Sequence, residues 1–132
     1  MKPQSDIGIF LAARSGSKRL PNKHFYKLNS KYSVIDICIR RLKKTKNINK
    51  IFLCTTKKSQ DNKFSKVCNN HNIGIFRGST NNVAKRIIDC AKKNSIKTII
   101  RITADCPIID PQLIDKCIEL HYKKKVIILQ IY

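Results

Sequence analysis

The most informative segment of this chain is Ile7-Gly-Ile-Phe-Leu-Ala-Ala-Arg-Ser-Gly-Ser-Lys-Arg-Leu-Pro-Asn-Lys23. Its apolar first part, Ile7–Ala12, predicts a strand that is buried on both faces. Four cations and two serines then surround one glycine, Gly16, in a short polar loop. Gly16 and the serines let backbone N–H groups approach phosphate oxygens, while Pro21 stiffens the end of the loop. The segment therefore predicts a nucleoside triphosphate site, and the alternative interpretation is a solvated basic turn.

Composition limits the partners of the chain. Its 132 residues predict one domain. The formal net charge of +20 suggests nucleic-acid binding, because phosphate backbones bind clustered Lys and Arg. However, the lysines are spread along the whole chain, and Ile, Lys and Asn make up about two fifths of it, a bias that indicates an AT-rich genome. We therefore expect no nucleic-acid partner and keep a basic nucleic-acid-binding module as the alternative.

The cysteines and the hydropathy pattern suggest a reducing compartment. The six cysteines are widely spaced, and none forms a C-x-x-C pair, a pattern that favours neither a zinc site nor a disulfide framework. Cys38, Cys90 and Cys117 fall on apolar stripes of predicted helices, where a free thiol acts as a small hydrophobe. No apolar run has the length that a bilayer requires, and Gly8 interrupts the run that most resembles a signal peptide. We expect a cytoplasmic protein that makes no membrane contact.

Apolar runs alternate with segments of helical period along the rest of the chain. The strands predicted after the first are 50–55, 73–76 and 97–102. The predicted helices are 33–44, 61–72, 79–94 and one that begins at 110–111. Ser33, Ser79 and Asp110 are the expected N-caps, with Pro111 in the first turn of the last helix. This alternation predicts an α/β fold with a mostly parallel sheet and helices on both faces.

Three polar loops follow predicted strands, at the edge where parallel sheets bind their ligands. They are residues 12–24, 77–79 and 103–107. The third contains Asp105, which on its own is a turn or cap residue as readily as a ligand. Opposite a phosphate loop it predicts a Mg²⁺ ligand, because Mg²⁺ binds one or two carboxylates together with substrate phosphates.

Three motifs in this order resemble the cytidylyltransferases that make CMP-sugars. The motifs are LAARSGSKRLPNK at 11–23, FRGS-x3-V-x2-R at 76–86 and RITADCPIIDPQLID at 101–115. They are most similar to the spore-coat polysaccharide type, which is similar to the enzymes that activate 3-deoxy-manno-octulosonate and sialic acids. The resemblance implies a Rossmann-like nucleotidyltransferase fold, CTP as donor, Mg²⁺ as cofactor and an acidic or other sugar as acceptor. It also implies a role in the synthesis of surface polysaccharide or lipopolysaccharide.

The resemblance further implies roles for individual residues. A sugar hydroxyl would attack the α-phosphorus of CTP, and pyrophosphate would leave. The backbone of Ala12 and Ala13 would pass along the cytosine, and Arg77 would touch the base or the ribose. The full expected nucleotide-binding set is Ala12, Ala13, Arg14, Ser15, Gly16, Ser17, Arg19, Lys23 and Arg77. The expected catalytic residues are Arg14, Lys23 and Asp105, of which Asp105 would bind the metal.

The chain departs from the family in two ways. Asn81 and Asn82 stand where the family commonly has an acidic residue before Val83. Family members are also about twice as long, and their other half usually carries a second metal-binding Asp, acceptor contacts and a dimer-forming region. We therefore interpret residues 1–125 as a partial cytidylyltransferase domain of a family whose full-length members are homodimers. A third interpretation is a catalytically silent subunit that pairs with a chain carrying the other half.

The apolar end of the chain, residues 126–132, is unlike a surface tail. Suitable codons for it, shifted by two bases, spell the Asp-Tyr-Thr-Ser-Asn stretch that the family tends to show here. We interpret the segment as the product of a frameshift. The alternative is a hydrophobic last strand native to a short homologue.

Overall fold

The computed structural model describes residues 6–125 of the chain. The strands are β1 Ile7–Ala12, β2 Ile51–Thr56, β3 Gly74–Gly78 and β4 Thr98–Thr103. The α-helices are α1 Val34–Leu42, α2 Lys63–His71, α3 Val83–Lys93 and α4 Pro111–Lys124. Short 3₁₀ turns lie at Lys23–Phe25 and Ser59–Asp61. All strand pairs are parallel, and the sheet order is β3-β2-β1-β4.

β1 is buried on both faces, which confirms the prediction, because it lies between β2 and β4 and has helices on either side. Ile9 and Leu11 point into one core, and Phe10 points into the other. Phe10 stacks on Phe52 of β2 with ring centroids 5.3 Å apart. Each fully buried side chain of this size stabilises the fold by about 1.5–3 kcal/mol.

Helices cover both faces of the sheet, which confirms the predicted α/β architecture. α1, α2 and α4 pack over one face, where Ile39, Phe64 and Ile118 are buried. α3 packs over the other face through Ile87 and Cys90. On the first face, α1 connects β1 to β2 and α2 connects β2 to β3. On the other face, α3 connects β3 to β4.

Two predicted N-caps are present and one is wrong. The Ser33 side chain accepts a hydrogen bond from the Asp36 backbone and caps α1, and Asp110 caps α4. α3 begins at Val83 and is capped by Asn82, whose side chain accepts from the Lys85 backbone at 2.9 Å. Ser79 instead accepts from the Asn82 N–H at 3.2 Å and shapes the turn before the helix.

The predicted second and third loops begin later than expected because β3 and β4 end later along the chain than predicted. Arg77 and Gly78 belong to β3, where they pair with Thr55 and Thr56, and Thr103 belongs to β4. Cys38 and Cys90 are buried as expected, while Cys117 is half-buried. The interpretation of residues 126–132 lies outside the described residues. Within 6–125, no helix has the length and apolar character needed to cross a bilayer.

The strand order places a topological switch point at β1. The chain leaves β1 towards β2 and β3 on one side and returns to β4 on the other side. In open parallel sheets, such a switch point opens a crevice at the carboxyl ends of the strands. Here that crevice lies between the loops that follow Ala12 and Thr103.

Candidate nucleotide site

The loop after β1 alternates between the interior and the surface. Ala13 and Ser15 are buried, whereas Arg14 and Gly16 are exposed. The Ala13 N–H donates to the Cys54 carbonyl at 3.2 Å, so the loop continues the line of the sheet before it turns outward. The alternation exposes Arg14 and Gly16 to solvent, while the buried residues Ala13 and Ser15 hold the backbone of the loop against the sheet.

Asp61 is the anchor of this loop. Its buried carboxylate accepts from the Ser15 backbone N–H at 2.8 Å. The hydroxyls of Ser15 and Thr56 also donate to it. Burial raises the pKa of Asp61, but these hydrogen bonds outweigh burial and hold the pKa below its ordinary value. The backbone N–H and the hydroxyl of Ser15 therefore both donate to Asp61. The role of Ser15 in nucleotide binding stays a prediction.

Three of the four loop cations are free to meet an anion. The side chains of Arg14, Lys18 and Arg19 are exposed, and the structure gives these side chains no hydrogen bond or ion pair within residues 6–125. A Cβ at Gly16 would meet only the Gln60 amide nitrogen, at 3.1 Å, in the described part of the chain. The Ser17 hydroxyl accepts from the Leu20 N–H at 3.4 Å and helps to form the turn. An exposed loop glycine together with cations whose side chains have no partner in the described structure suits a polyanionic ligand.

Lys23 and Asp105 meet across the crevice. Lys23 Nζ lies 2.5 Å from Asp105 Oδ2, and their side chains are 32% and 35% exposed. The Lys23 hydrogen bond, opposed by burial and aided by Thr103, lowers the pKa of Asp105. The structure therefore brings together two of the three predicted catalytic residues, which lie 82 positions apart in the chain.

His24 holds the two loops together beneath this pair. Its ring is 4% exposed and lies edge-on to Phe64, with centroids 5.7 Å apart. Burial lowers the pKa of His24, against an opposing hydrogen bond to the Ala104 backbone. Nδ1 is buried and has no hydrogen-bond partner in the described structure. Residues 23 and 24 thus contact residues 105 and 104 in turn. The sequence does not predict the role of His24, because hydrophobic periodicity carries no signal for a buried residue that links two loops.

Two arginines of the second motif bind backbone carbonyls. Arg77 donates to the Thr56 and Lys58 carbonyls at 2.8 and 2.6 Å and to the Asn62 side chain at 2.6 Å. It thereby ties the segment that carries Asp61 to β3, and its contact with base or ribose stays a prediction. Arg86 is 1% exposed and donates to the Ser79 carbonyl at 2.8 Å.

Arg86 supplies a buried positive charge below the loop. Burial lowers the pKa of its guanidinium, and the nearby charge of Arg14 lowers it further. Arginine keeps its proton in proteins, so the charge persists. The Arg86 guanidinium also donates to the Cys54 and Thr80 carbonyls, so it ties β2 to the turn before α3. The sequence motif contained Arg86, but its spacing alone assigned it no role.

The donors at the crevice fit a Mg²⁺ ion that arrives with a nucleotide. Asp105 already holds a cation, the Lys23 ammonium, in the position where a metal would bind the carboxylate. Within residues 6–125, no three His, Cys, Asp or Glu side chains cluster to form a complete metal site. Mg²⁺ takes one or two carboxylates, substrate phosphates and water, so a lone accessible carboxylate beside a phosphate loop suits it.

Comparisons with known proteins identify the family of the chain. A family model described as cytidylyltransferase matches residues 8–129. The uncharacterized protein MJ1063 of Methanocaldococcus jannaschii is 42% identical over 113 residues, which is 86% of this chain and 46% of that protein. The spore coat polysaccharide biosynthesis protein SpsF of Bacillus subtilis is 31% identical over 122 residues, covering 89% of this chain and 50% of SpsF. The chain thus spans about half the length of these curated relatives.

Solved structures share the fold. A cytidylyltransferase from Leptospira borgpetersenii is 32% identical and superposes with a TM-score of 0.86, over 91% of this chain and 50% of that one. CMP:2-keto-3-deoxy-manno-octonic acid synthetase, solved with CTP, is 16% identical with a TM-score of 0.76, over 91% and 48%. This second likeness is one of fold alone. The family model spans most of the residues, and the chain therefore belongs to the cytidylyltransferase family.

Proposed function

We propose that this chain binds CTP together with Mg²⁺ and forms the nucleotide half of an enzyme that transfers CMP to a sugar. The observation that carries the proposal is the contact between Lys23 and Asp105 at the switch point. It brings an ammonium and a carboxylate together at one edge of the sheet, next to three loop cations whose side chains have no partner within residues 6–125. This arrangement supports a phosphate-binding role for Lys23 and a metal-binding role for Asp105. Membership in the cytidylyltransferase family supports CTP as the nucleotide.

The chemistry is transfer of a nucleotidyl group. A sugar hydroxyl attacks the α-phosphorus, so a new oxygen–phosphorus bond forms and the α–β bridging bond breaks. Pyrophosphate takes the electron pair of the broken bond, and the hydroxyl proton passes to water. Arg14, Arg19 and Lys23 neutralise the phosphates, and Asp105 would hold Mg²⁺, which supplies further positive charge at the reacting phosphates. Such transfer depends mainly on positioning and charge stabilisation, so the site needs no protein nucleophile.

The acceptor class and the setting come from the relatives. SpsF takes part in spore coat polysaccharide biosynthesis by its name, and one structural neighbour makes CMP-2-keto-3-deoxy-manno-octonic acid. By analogy, we infer an acidic or other sugar destined for a surface polysaccharide, including lipopolysaccharide, and synthesis in the cytoplasm. We expect the 132-residue chain alone to lack full activity, because an incomplete metal site loses several kcal/mol of transition-state stabilisation.

Calorimetric titration of the chain with CTP and Mg²⁺ tests the proposal. We expect Lys23→Ala and Asp105→Ala to weaken binding, while Lys124→Ala, on the exposed end of α4, leaves it unchanged. No heat of binding at millimolar CTP would refute the proposed function. If Lys23→Ala and Lys124→Ala weaken binding equally while Asp105→Ala strengthens it, only the net charge of the chain matters and the proposed site is wrong.

The alternative, a basic nucleic-acid-binding module, has one structural feature in its favour. A groove of about 590 Å³ between α1 and the end of α2 is lined by Arg40, Arg41, Lys43 and Lys44, among others. Two of these cations are already engaged, since Arg41 donates to the Ile109 carbonyl and Lys43 to the His71 carbonyl. Filter binding of RNA and DNA at two salt concentrations separates the two functions, because a nucleic-acid module predicts tight, strongly salt-dependent binding.

The frameshift hypothesis for residues 126–132 has its own test. Sequencing the gene and the bases downstream of it should reveal the continuation of the family pattern in another frame. A downstream sequence without that pattern in any frame would refute the hypothesis.

A further inference from the structure

The Lys23–Asp105 contact has an unusual place in the proposed site. Both side chains are expected to bind the incoming ligand, Lys23 through phosphate and Asp105 through the metal. In the ligand-free structure they bind each other, with Nζ and Oδ2 2.5 Å apart. The same carboxylate oxygen cannot hold an ammonium and a divalent cation at this distance without strong repulsion between the two cations.

The structure supplies a way to release the pair. Both side chains are about one-third exposed, and exposed ion pairs are weak enough to exchange partners readily. Lys23 carries its ammonium on a flexible four-carbon stem, so it can turn towards a phosphate without a backbone change. The backbone beneath stays in place, because buried His24 packs on Phe64 and against Ala104.

The rest of the loop supplies the trigger. Arg14, Lys18 and Arg19 have no partner within the described residues and are therefore available to capture a triphosphate first. A triphosphate held there brings anionic oxygens close to the end of the same loop, where Lys23 lies. The ammonium then has a stronger anionic partner than one carboxylate, and Asp105 is freed.

We propose that Lys23 blocks the metal position on Asp105 until a nucleoside triphosphate draws the ammonium away, so that the divalent cation and the nucleotide bind cooperatively. This inference rests on the proposed function and deepens it, because it states the order in which the same site fills. Lys23 thus has two partners, Asp105 in the empty site and phosphate in the filled site.

The first test measures Mn²⁺ binding by calorimetry without nucleotide. Lys23→Met removes the ammonium and keeps the length of the stem, so we expect Mn²⁺ to bind about three- to fivefold tighter than to the unchanged chain. Lys27→Met removes an exposed charge nearby that does not contact Asp105 and should change the affinity less than twofold. Equal affinities for the two variants would overturn the inference.

The second test measures CTP binding in EDTA and again in excess Mg²⁺. Asp105→Asn releases Lys23, so it should tighten metal-free CTP binding about threefold and weaken binding when Mg²⁺ is present. Asp89→Asn is the matched control, since Asp89 pairs with Lys85 on the exposed face of α3. If Asp105→Asn matches this control in EDTA, the inference is wrong.

The two tests separate the inference from the function on which it rests. A chain that binds no CTP in either buffer refutes the proposed function. The Mn²⁺ measurement contains no nucleotide and still decides whether Lys23 blocks Asp105.

Discussion

Replacing Asp61 by Asn should detach the phosphate loop from the sheet. The carboxylate accepts three hydrogen bonds, two from Ser15 and one from Thr56, in a fully buried position. The amide keeps one oxygen but turns an NH₂ group towards at least one of these donors. Hydrogen bonds to charged groups contribute about 1.5–3 kcal/mol each, so losing one or two of them costs about 2–4 kcal/mol of unfolding free energy.

Urea unfolding followed by far-UV circular dichroism measures this loss, since the chain contains no Trp for fluorescence. The total unfolding free energy of a small domain is only about 5–15 kcal/mol, so this loss should shift the urea midpoint strongly. Asp89→Asn is the control, because its exposed i,i+4 pair with Lys85 contributes about 0.3–0.5 kcal/mol. A loss for Asp61→Asn no greater than this control would refute the role of Asp61 as anchor.

The pH dependence of the same variant gives a second check. The pKa of Asp61 is lowered in the folded state, so its stabilisation is complete above the unfolded pKa of about 3.9 and is lost as the pH falls through the lower folded value. The difference in unfolding free energy between the unchanged chain and Asp61→Asn should therefore shrink in strong acid. A difference that stays constant down to pH 2 would contradict this assignment.

Three further changes test other parts of the structure. Burial lowers the pKa of His24, so the unchanged chain should lose stability as the pH falls through the unfolded value of about 6.5, and His24→Leu should lack this slope in urea midpoints between pH 5 and 7.5. Asp36→Ala removes the carboxylate that accepts from the Ser33 N–H in the capping box of α1 and that pairs with His71, 2.8 Å away, and should lower the unfolding free energy by about 1–2 kcal/mol. Gly74→Ala places a Cβ 2.5 Å from the Phe52 ring, so overpacking should cost about 1–3 kcal/mol and lower the Tm. A neutral result for either of these last two variants in thermal unfolding would contradict the packing described.

The sequence predicted the sheet and the crevice because both depend on local signals. The apolar run of β1 and the helical spacing of Ile87 and Cys90 each lie within one element. Parallel topology then follows from alternation and brings the loops after Ala12 and Thr103 to one edge. The alternation of strands and helices therefore predicts by itself that Asp105 lies opposite the loop after β1.

Long-range contacts explain what the sequence did not predict. The helical period predicts Asp61 as the first residue of a helix, but its carboxylate accepts a hydrogen bond from Ser15, 46 positions away. Ser79 is the predicted cap of α3, but Asn82 caps it, because the Ser79 hydroxyl accepts from the Asn82 N–H and the Ser79 carbonyl accepts from Arg86. Such competition for hydrogen bonds is settled only when the chain is folded.

The central position of β1 affects how this chain folds during its synthesis on the ribosome. β1 hydrogen-bonds along its whole length to β4, in a register that pairs Ile7 with Thr98 and Ala12 with Thr103. β1 must therefore wait for a strand whose paired residues lie 91 positions later in the chain, and contacts this distant in sequence slow folding. Because Asp105 lies two residues after the end of β4, its carboxylate reaches Lys23 in the same step that closes the sheet. Nascent chains that stop before residue 98 should bind no nucleotide. They should also expose the apolar strand β1, which then pairs only with β2, to aggregation and to chaperones.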